Sequence, residues 1–328
     1  AIAQRNISNI LVEGLKRLEY RGYDSSGVAI LSDQGLQRTR RVGKVANLAS
    51  ALTNVPLSGC LGIAHTRWAT HWVPNEVNAH PHWSHSSLAV VHNGIIDNFE
   101  SIKADLIATG YGFESDTDTE VIAHLIHRNR KQGMSLTAAV RDAASRCEGA
   151  YALGVVDETQ PELLLAARKG SPLVIGLGSD ENYIASDQLA LLQVTDQFMF
   201  LEDGDIAEIS RTKVTVTNLN GAVVERPSHR YEHSEENSDK GVYKHYMLKE
   251  INEQPKVVGN LIAQQIIAGN LQNILNDNAM EALAKAKNVQ IIACGTSYLA
   301  GMVAKYWIES LAGLACQVEG ASEYRYRK

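Results

Sequence analysis

Between Glu225 and Tyr243 the chain is charged, contains histidine and serine, and is nearly free of aliphatic residues; the apolar patterning differs on its two sides. A stretch with so little to bury cannot run through a core, so it divides the chain into separate folding units. The reading is a first domain over residues 1–225, a linker over 226–242 and a second domain over 243–328. Length agrees, because a single core rarely fills beyond ~250–300 residues.

Before the boundary, helix-like and strand-like segments come in blocks. Ile7, Leu11, Leu15 and Leu18 recur at helical spacing and the pattern stops at Arg21-Gly22. Gly27 to Leu31 and Leu36 to Val42 read as a hairpin turned by Ser-Asp-Gln-Gly. Asp97 and Glu100 resemble a capping box opening a helix that stops at Gly110, and a second helix runs from about Thr119 to Lys131. Short strands follow over 151–156, 163–167, 173–177, 182–185, 198–201 and 206–209, with Asp203-Gly204 and Asn220-Gly221 as hairpin turns. Blocked strands and grouped helices indicate an α+β layered domain.

After the boundary, helical spacing covers about Val242 to Ala268 and Asn278 to Ala286. A strand, Val289 to Cys294, then enters Gly295-Thr296-Ser297 and a helix to about Ala312, followed by a strand near Cys316 to Glu319. Strand, small-residue turn and helix are the unit of a parallel αβα sheet. Such a sheet needs about five strands. Two are found here, so this second domain reads as unfinished.

Composition removes several function classes. With 37 acidic against 31 basic residues and a net charge of -6, the chain lacks the basic excess that a nucleic-acid backbone demands. No apolar run approaches the ~18–20 residues needed to span a bilayer, and the opening Ala-Ile-Ala-Gln-Arg-Asn is unlike a signal peptide. Cys60, Cys147, Cys294 and Cys316 form no C-x-x-C pair, which implies a reducing, cytoplasmic setting.

The densest chemical signal is His65 to Gly94, which holds six of the eleven histidines. No carboxylate or cysteine stands at a familiar ligand spacing, so hydrogen-bonding loop histidines are preferred to a metal site. Arg67 leaves a strand end beside Trp68, Thr70 and His71, where its guanidinium suits a planar carboxylate; a solvated surface arginine is the plainer reading. Asn93-Gly94 is first a turn pair, although an Asn amide beside a Gly N–H is also what an oxyanion hole requires. In Ser115-Asp116-Thr117-Asp118-Thr119-Glu120 most acids complement a helix start, and one facing a pocket could hold an ammonium group. Cys294-Gly295-Thr296-Ser297 opens a helix whose N–H groups suit a phosphate, or is simply capped by Thr or Ser.

Read together, RGYDSSG (Arg21 to Gly27), HTRWATH (His65 to His71), NAHPH (Asn78 to His82), HNGII (His92 to Ile96), SDTDTE (Ser115 to Glu120) and CGTS (Cys294 to Ser297) resemble the glutamine-fructose-6-phosphate aminotransferase family over essentially the whole chain. The first five motifs resemble class II glutamine amidotransferases in general. The resemblance implies an N-terminal-nucleophile hydrolase, a four-layer αββα sandwich, followed by the beginning of a SIS (sugar isomerase) domain. It implies glutamine hydrolysis in the first domain, with ammonia passed to fructose-6-phosphate to give glucosamine-6-phosphate and glutamate. Arg67 and Asp118 then hold the glutamine α-carboxylate and α-ammonium, Trp68, Thr70, His71 and His80 line the substrate site, and Asn93 and Gly94 form the oxyanion hole. Cys294, Gly295, Thr296 and Ser297 start the sugar-phosphate site. No metal or cofactor is implied, and the family pattern adds a homodimer through the SIS half.

The family begins Cys-Gly-Ile-x-Gly, and Ala1 aligns just after that pentapeptide, so its nucleophile, a cysteine whose own α-amine is the base, is not among these residues. Trp72 also departs from relatives that carry a small residue there. The competing readings are another class II amidotransferase, or a sugar-phosphate sensor with an inactive amidotransferase-like domain.

Overall fold

The computed structural model describes residues 1–68, 73–231, 242–262, 277–324 and 327. Two compact units result, Ala1–Asp239 and Lys240–Lys328. In chain order the first holds α1 (Ser8–Arg17), β1 (Ser25–Ser32), β2 (Gly35–Val42), α2 (Val45–Asn54), β3 (Leu61–Arg67), β4 (His82–Ser84) and β5 (Leu88–Ile96). Three helices follow, α3 (Phe99–Ala108), α4 (Thr119–Lys131) and α5 (Leu136–Arg146). Strands complete it: β6 (Gly149–Asp157), β7 (Leu164–Lys169), β8 (Val174–Leu177), β9 (Asn182–Ala185), β10 (Gln197–Phe200), β11 (Ile206–Ile209), β12 (Val214–Thr217) and β13 (Ser228–Arg230).

These strands make two facing layers. One has the order β12-β11-β7-β6-β5-β4; the other consists of β2-β1-β3 and β13-β10-β8-β9. The two parts of the second layer meet through Ile2, which bridges Leu61 on one side and Asn182 on the other. Alternation along β5 explains the layering: Leu88 and Val90 face α3, α4 and α5, whereas Ala89 and Val91 face the opposite sheet. On the far side, Val12 and Leu15 of α1 and Leu48 and Leu52 of α2 cover Val28 and Ile30 of β1. The αββα order expected from the resemblance is therefore present.

Local expectations fared unevenly. The β1–β2 hairpin turns between Leu31 and Leu36, and α4 starts and ends where its pattern does. Asp203-Gly204 is not a hairpin turn, because β10 and β11 belong to different sheets and the chain crosses between layers there. Nor is Asn93-Gly94 a turn: both residues lie inside β5, opposite Ala152 and Tyr151. The Asp97–Glu100 capping box is absent too; α3 begins after Asn98 without a side-chain cap, and Asp97 N donates to Glu148 O at 2.8 Å. Within the stretch expected as linker, Ser228–Arg230 pairs with β10 as β13. Helices α2 and α5 and strands β4 and β12 are elements that the sequence patterns do not indicate.

The second unit holds α6 (Tyr246–Ile262), α7 (Asp277–Ala284), β14 (Asn288–Ala293), α8 (Gly295–Trp307), β15 (Ala315–Gly320) and α9 (Ala321–Tyr324). Residues 263–268 of the expected long helix lie outside the described residues. β14 and β15 pair in parallel, Val289 opposite Cys316, as the strand–turn–helix pattern requires. Gly301 lets α8 lie close on both strands, since a Cβ there would stand 2.9 Å from Ile291 and 3.1 Å from Val318.

Candidate active site of the first unit

Arg67 is the last residue of β3 and is buried. Its Nη1 lies 3.9 Å from Asp24 Oδ1, and Asp24 N donates to Arg67 O at 2.8 Å, which ties the strand end to the loop entering β1. Burial lowers the guanidinium's pKa, while the carboxylates of Asp24 and Asp118 oppose that shift. A buried cation flanked by two acids is a place for a charged ligand group, because transferring such a cation from water is costly unless it is paired.

Asp118 immediately precedes α4 but does not cap it with its side chain. Its Oδ2 instead accepts from Ile96 N at 2.8 Å, at the end of β5. The other two acids of the motif brace the loop: Glu120 accepts from Glu114 N at 2.9 Å and from Ser115 N and Oγ at 2.7 Å each, and Asp116 N donates to Asn78 Oδ1 at 3.0 Å. Burial opposes ionisation of Glu120, but bonds from His124, Glu114 N and Ser115 prevail and bring it down to about 2. Of the three acids, Asp118 is the one directed at β5 and Arg67.

The histidines form a buried layer behind these charges. His80 Nε2 and His92 Nδ1 each lie 2.9 Å from Thr119 Oγ1, and His82 Nε2 lies 3.0 Å from Thr117 Oγ1. His65 and His80 rings are 4.3 Å apart, His80 and His82 rings 4.8 Å. Burial is the main cause that takes His65 and His82 down to about 3, puts His80 well below its usual value and lowers His92. The imidazoles are thus neutral near pH 7. Among the described residues no group of three or more His, Cys, Asp and Glu side chains is arranged to hold a metal ion.

Asn93 and Gly94 are exposed on β5. Gly94 has φ +142°, and a Cβ there would lie 2.0 Å from Ala150 O, so only glycine lets β5 and β6 meet at this point. Trp68 is 63% exposed, and its ring lies over Gly22, where a Cβ would come within 2.0 Å of it. Thr70, His71 and Trp72 lie outside the described residues. In the second unit Cys294 occupies the N-cap position of α8 in extended conformation with no side-chain cap, Gly295 has φ +57°, and Cys294 to Ser297 are all exposed. Neither Thr296 nor Ser297 caps the helix.

Comparison with known proteins bears directly on this arrangement. A family model described as a glutamine amidotransferase domain matches residues 65–193, and a SIS domain model matches residues 282–328. A glutamine–fructose-6-phosphate aminotransferase (isomerizing) of Pseudomonas putida is 57% identical over the whole chain. The chain is similar to such aminotransferases along its whole length. The corresponding Escherichia coli K12 protein is 55% identical, again over the whole chain. The chain spans about half the length of these relatives, 54% of each. A glutamine phosphoribosylpyrophosphate amidotransferase structure from B. subtilis shares the fold, with TM-score 0.59, 20% identity, and coverage of 97% of this chain and 64% of that one. A structure described as the allosteric regulatory enzyme of purine biosynthesis gives TM-score 0.56 at 26% identity, covering 64% of this chain and 46% of the other.

Within the first unit, strand ends and the start of α4 bring Arg67, Asp24 and Asp118 together from three separate motifs. Four residues important to this geometry are given no site role by the sequence: Thr119, His92, Ile96 through its N–H, and Gly22. Thr119 stands between two acids and reads as a helix start, and only the approach of α4 to β5 reveals its bonds.

Proposed function

We propose that the protein containing this chain takes ammonia from L-glutamine in the amidotransferase domain and transfers it to fructose-6-phosphate, giving glucosamine-6-phosphate and L-glutamate. The observation that carries this reading is the gathering of buried Arg67, its ion-pair partner Asp24 and the β5-bound carboxylate of Asp118, which acts electrostatically on Arg67, beside the exposed Asn93-Gly94 segment of β5. Arg67 binds the α-carboxylate of glutamine through its planar fork, and Asp118 binds the α-ammonium. Trp68, Thr70 and His71 are further substrate-binding residues in this reading. The Asn93 amide and Gly94 N–H receive the oxyanion as a thiolate attacks the side-chain carbonyl; one such donor is worth ~3 kcal/mol of transition-state stabilisation. Ammonia leaves, and water hydrolyses the thioester to glutamate.

The pairing of Ile2 supports where the nucleophile lies. Ile2 stands opposite Leu61, and Gly62 N donates to Ala1 O at 3.0 Å in the same antiparallel sense. Each step back from Ile2 is one step forward along β3, so in a segment that continues this register the fifth residue before Ala1 faces Arg67. That is the position of the family's cysteine.

Cys294, Gly295, Thr296 and Ser297, exposed at the start of a thirteen-residue helix, begin the sugar-phosphate site. Residues 226–242 join the two domains in this reading. The setting is cytoplasmic, with dimerisation through the SIS half, which light scattering on the full-length protein tests. Glutamate release and glucosamine-6-phosphate formation by that protein are the primary assays. Asp118→Asn is expected to lower kcat/KM for glutamine by about a hundredfold, on the scale of a lost buried charge pair. Unchanged glutamine hydrolysis in this variant rules out the assigned site, and amination of a different acceptor rules out the assigned product.

A further inference from the structure

The geometry points to Thr119 as a positioning residue that locks together the two ends of the glutamine site, the acid at Asp118 and the oxyanion donors at Asn93-Gly94, with His92 and His80 as its partners. This inference rests on the glutamine-site reading above and assigns roles to residues that reading leaves unused.

Thr119 is fully buried, and its Oγ1 is within 2.9 Å of His92 Nδ1, 2.9 Å of His80 Nε2 and 3.4 Å of Asp118 Oδ1. A hydroxyl has one hydrogen and two lone pairs, so these three neighbours saturate it. Each of them belongs to a different part of the site. Asp118 precedes Thr119 at the start of α4; His92 immediately precedes Asn93 in β5; His80 comes from the loop before β4. Asp118 also reaches β5 directly, through Ile96 N at 2.8 Å. Between them, Ile96 and His92 fix both sides of the Asn93-Gly94 segment to α4. One hydroxyl therefore sets the distance between the group that receives the substrate ammonium and the groups that receive its oxyanion.

His80 is expected from the resemblance to line the substrate site, but it is buried behind Thr119, with its ring tilted against that of His65 and edge-on to that of His82. Its place is that of a backstop for the hydroxyl. Neutral imidazoles serve this purpose, since each offers one N–H and one acceptor nitrogen without adding charge to the site.

Thr119→Val preserves the shape and removes the hydroxyl; Thr119→Ser keeps it. In the full-length protein with saturating fructose-6-phosphate, Thr119→Val is expected to raise KM for glutamine and lower kcat, so that kcat/KM falls about ten- to a hundredfold, the scale of unsatisfied buried partners. Thr119→Ser recovers most of both parameters, and KM for fructose-6-phosphate stays unchanged in each. Should Thr119→Val fail to fold, the His92 pair decides. The Asn amide reaches the Nδ1 position, so His92→Asn retains more activity than His92→Gln, whose amide reaches the Nε2 position.

Wild-type kinetics in Thr119→Val, a loss that serine does not restore, or the reverse order in the His92 pair overturns the assignment. The Asp118→Asn variant separates the two levels. Normal glutamine hydrolysis there removes the glutamine site itself, whereas impairment there with a normal Thr119→Val removes only the role of Thr119.

Discussion

At the residue scale, close approaches dominate. Gly94 sits where any side chain would meet the Ala150 carbonyl at 2.0 Å, so Gly94→Ala must part β5 from β6 at the oxyanion segment. The expected result is a stability loss of about 1–3 kcal/mol with glutamine hydrolysis nearly abolished, read by thermal melts and glutamate release. Gly22→Ala, which would stand 2.0 Å from the Trp68 ring, displaces that ring and raises KM for glutamine without moving KM for fructose-6-phosphate. The buried histidines give a pH prediction. His65 and His82 are held at about 3, against an ordinary value near ~6.5, so the unfolded chain takes up protons first as pH falls. Their contribution is complete above that ordinary value and is lost progressively between it and the folded-state value. Each contributes a slope of up to ~1.4 kcal/mol per pH unit. Glu120, held down at about 2, adds a loss of the same sign at still lower pH. Melting temperature is therefore expected to fall steadily from pH 7 to 4.5, and His82→Gln to flatten that fall.

At the element scale, the capping of α5 gives a control. Ser135 Oγ accepts from Ala138 N at 3.2 Å, far in sequence from every site motif, so Ser135→Ala is expected to cost about 1 kcal/mol in chemical denaturation while leaving glutamine kinetics intact. Some elements are readable from sequence because their boundaries carry turn or helix-stop residues. The hairpin of β1 and β2, helix α4 and the parallel pair β14–β15 announce themselves by period and turn residues. Others are hidden for physical reasons. β13 is exposed along its length and shows no alternation, so its charged sequence reads as linker. Asp203-Gly204 has turn chemistry, but which strands flank a turn does not decide whether they pair. Asn93-Gly94 keeps its turn signature inside β5 because the close approach to Ala150, not a reversal, requires the glycine. For the site, the motifs supplied Arg67 and Asp118, whereas the bonds of Thr119 depend on how α4 meets β5, which no local pattern encodes.

At the scale of the whole molecule, the two compact units predict separable chemistry. Arg67→Ala in the full-length protein is expected to abolish use of glutamine and leave fructose-6-phosphate binding intact, as read by calorimetric titration. Equal loss of both would make Arg67 a residue of the fold alone. The pairing of Ile2 bears on how such a fold is reached. Its partners, Leu61 and Asn182, lie far along the chain, and until both are in place the second sheet remains two separate pieces. On the ribosome, the stretch around Ile2 must wait while 180 further residues emerge before its β9 partner exists. The residues around Ile2 are thus locked later than much of the chain that follows them, and the sheet closes only when translation has passed Asn182.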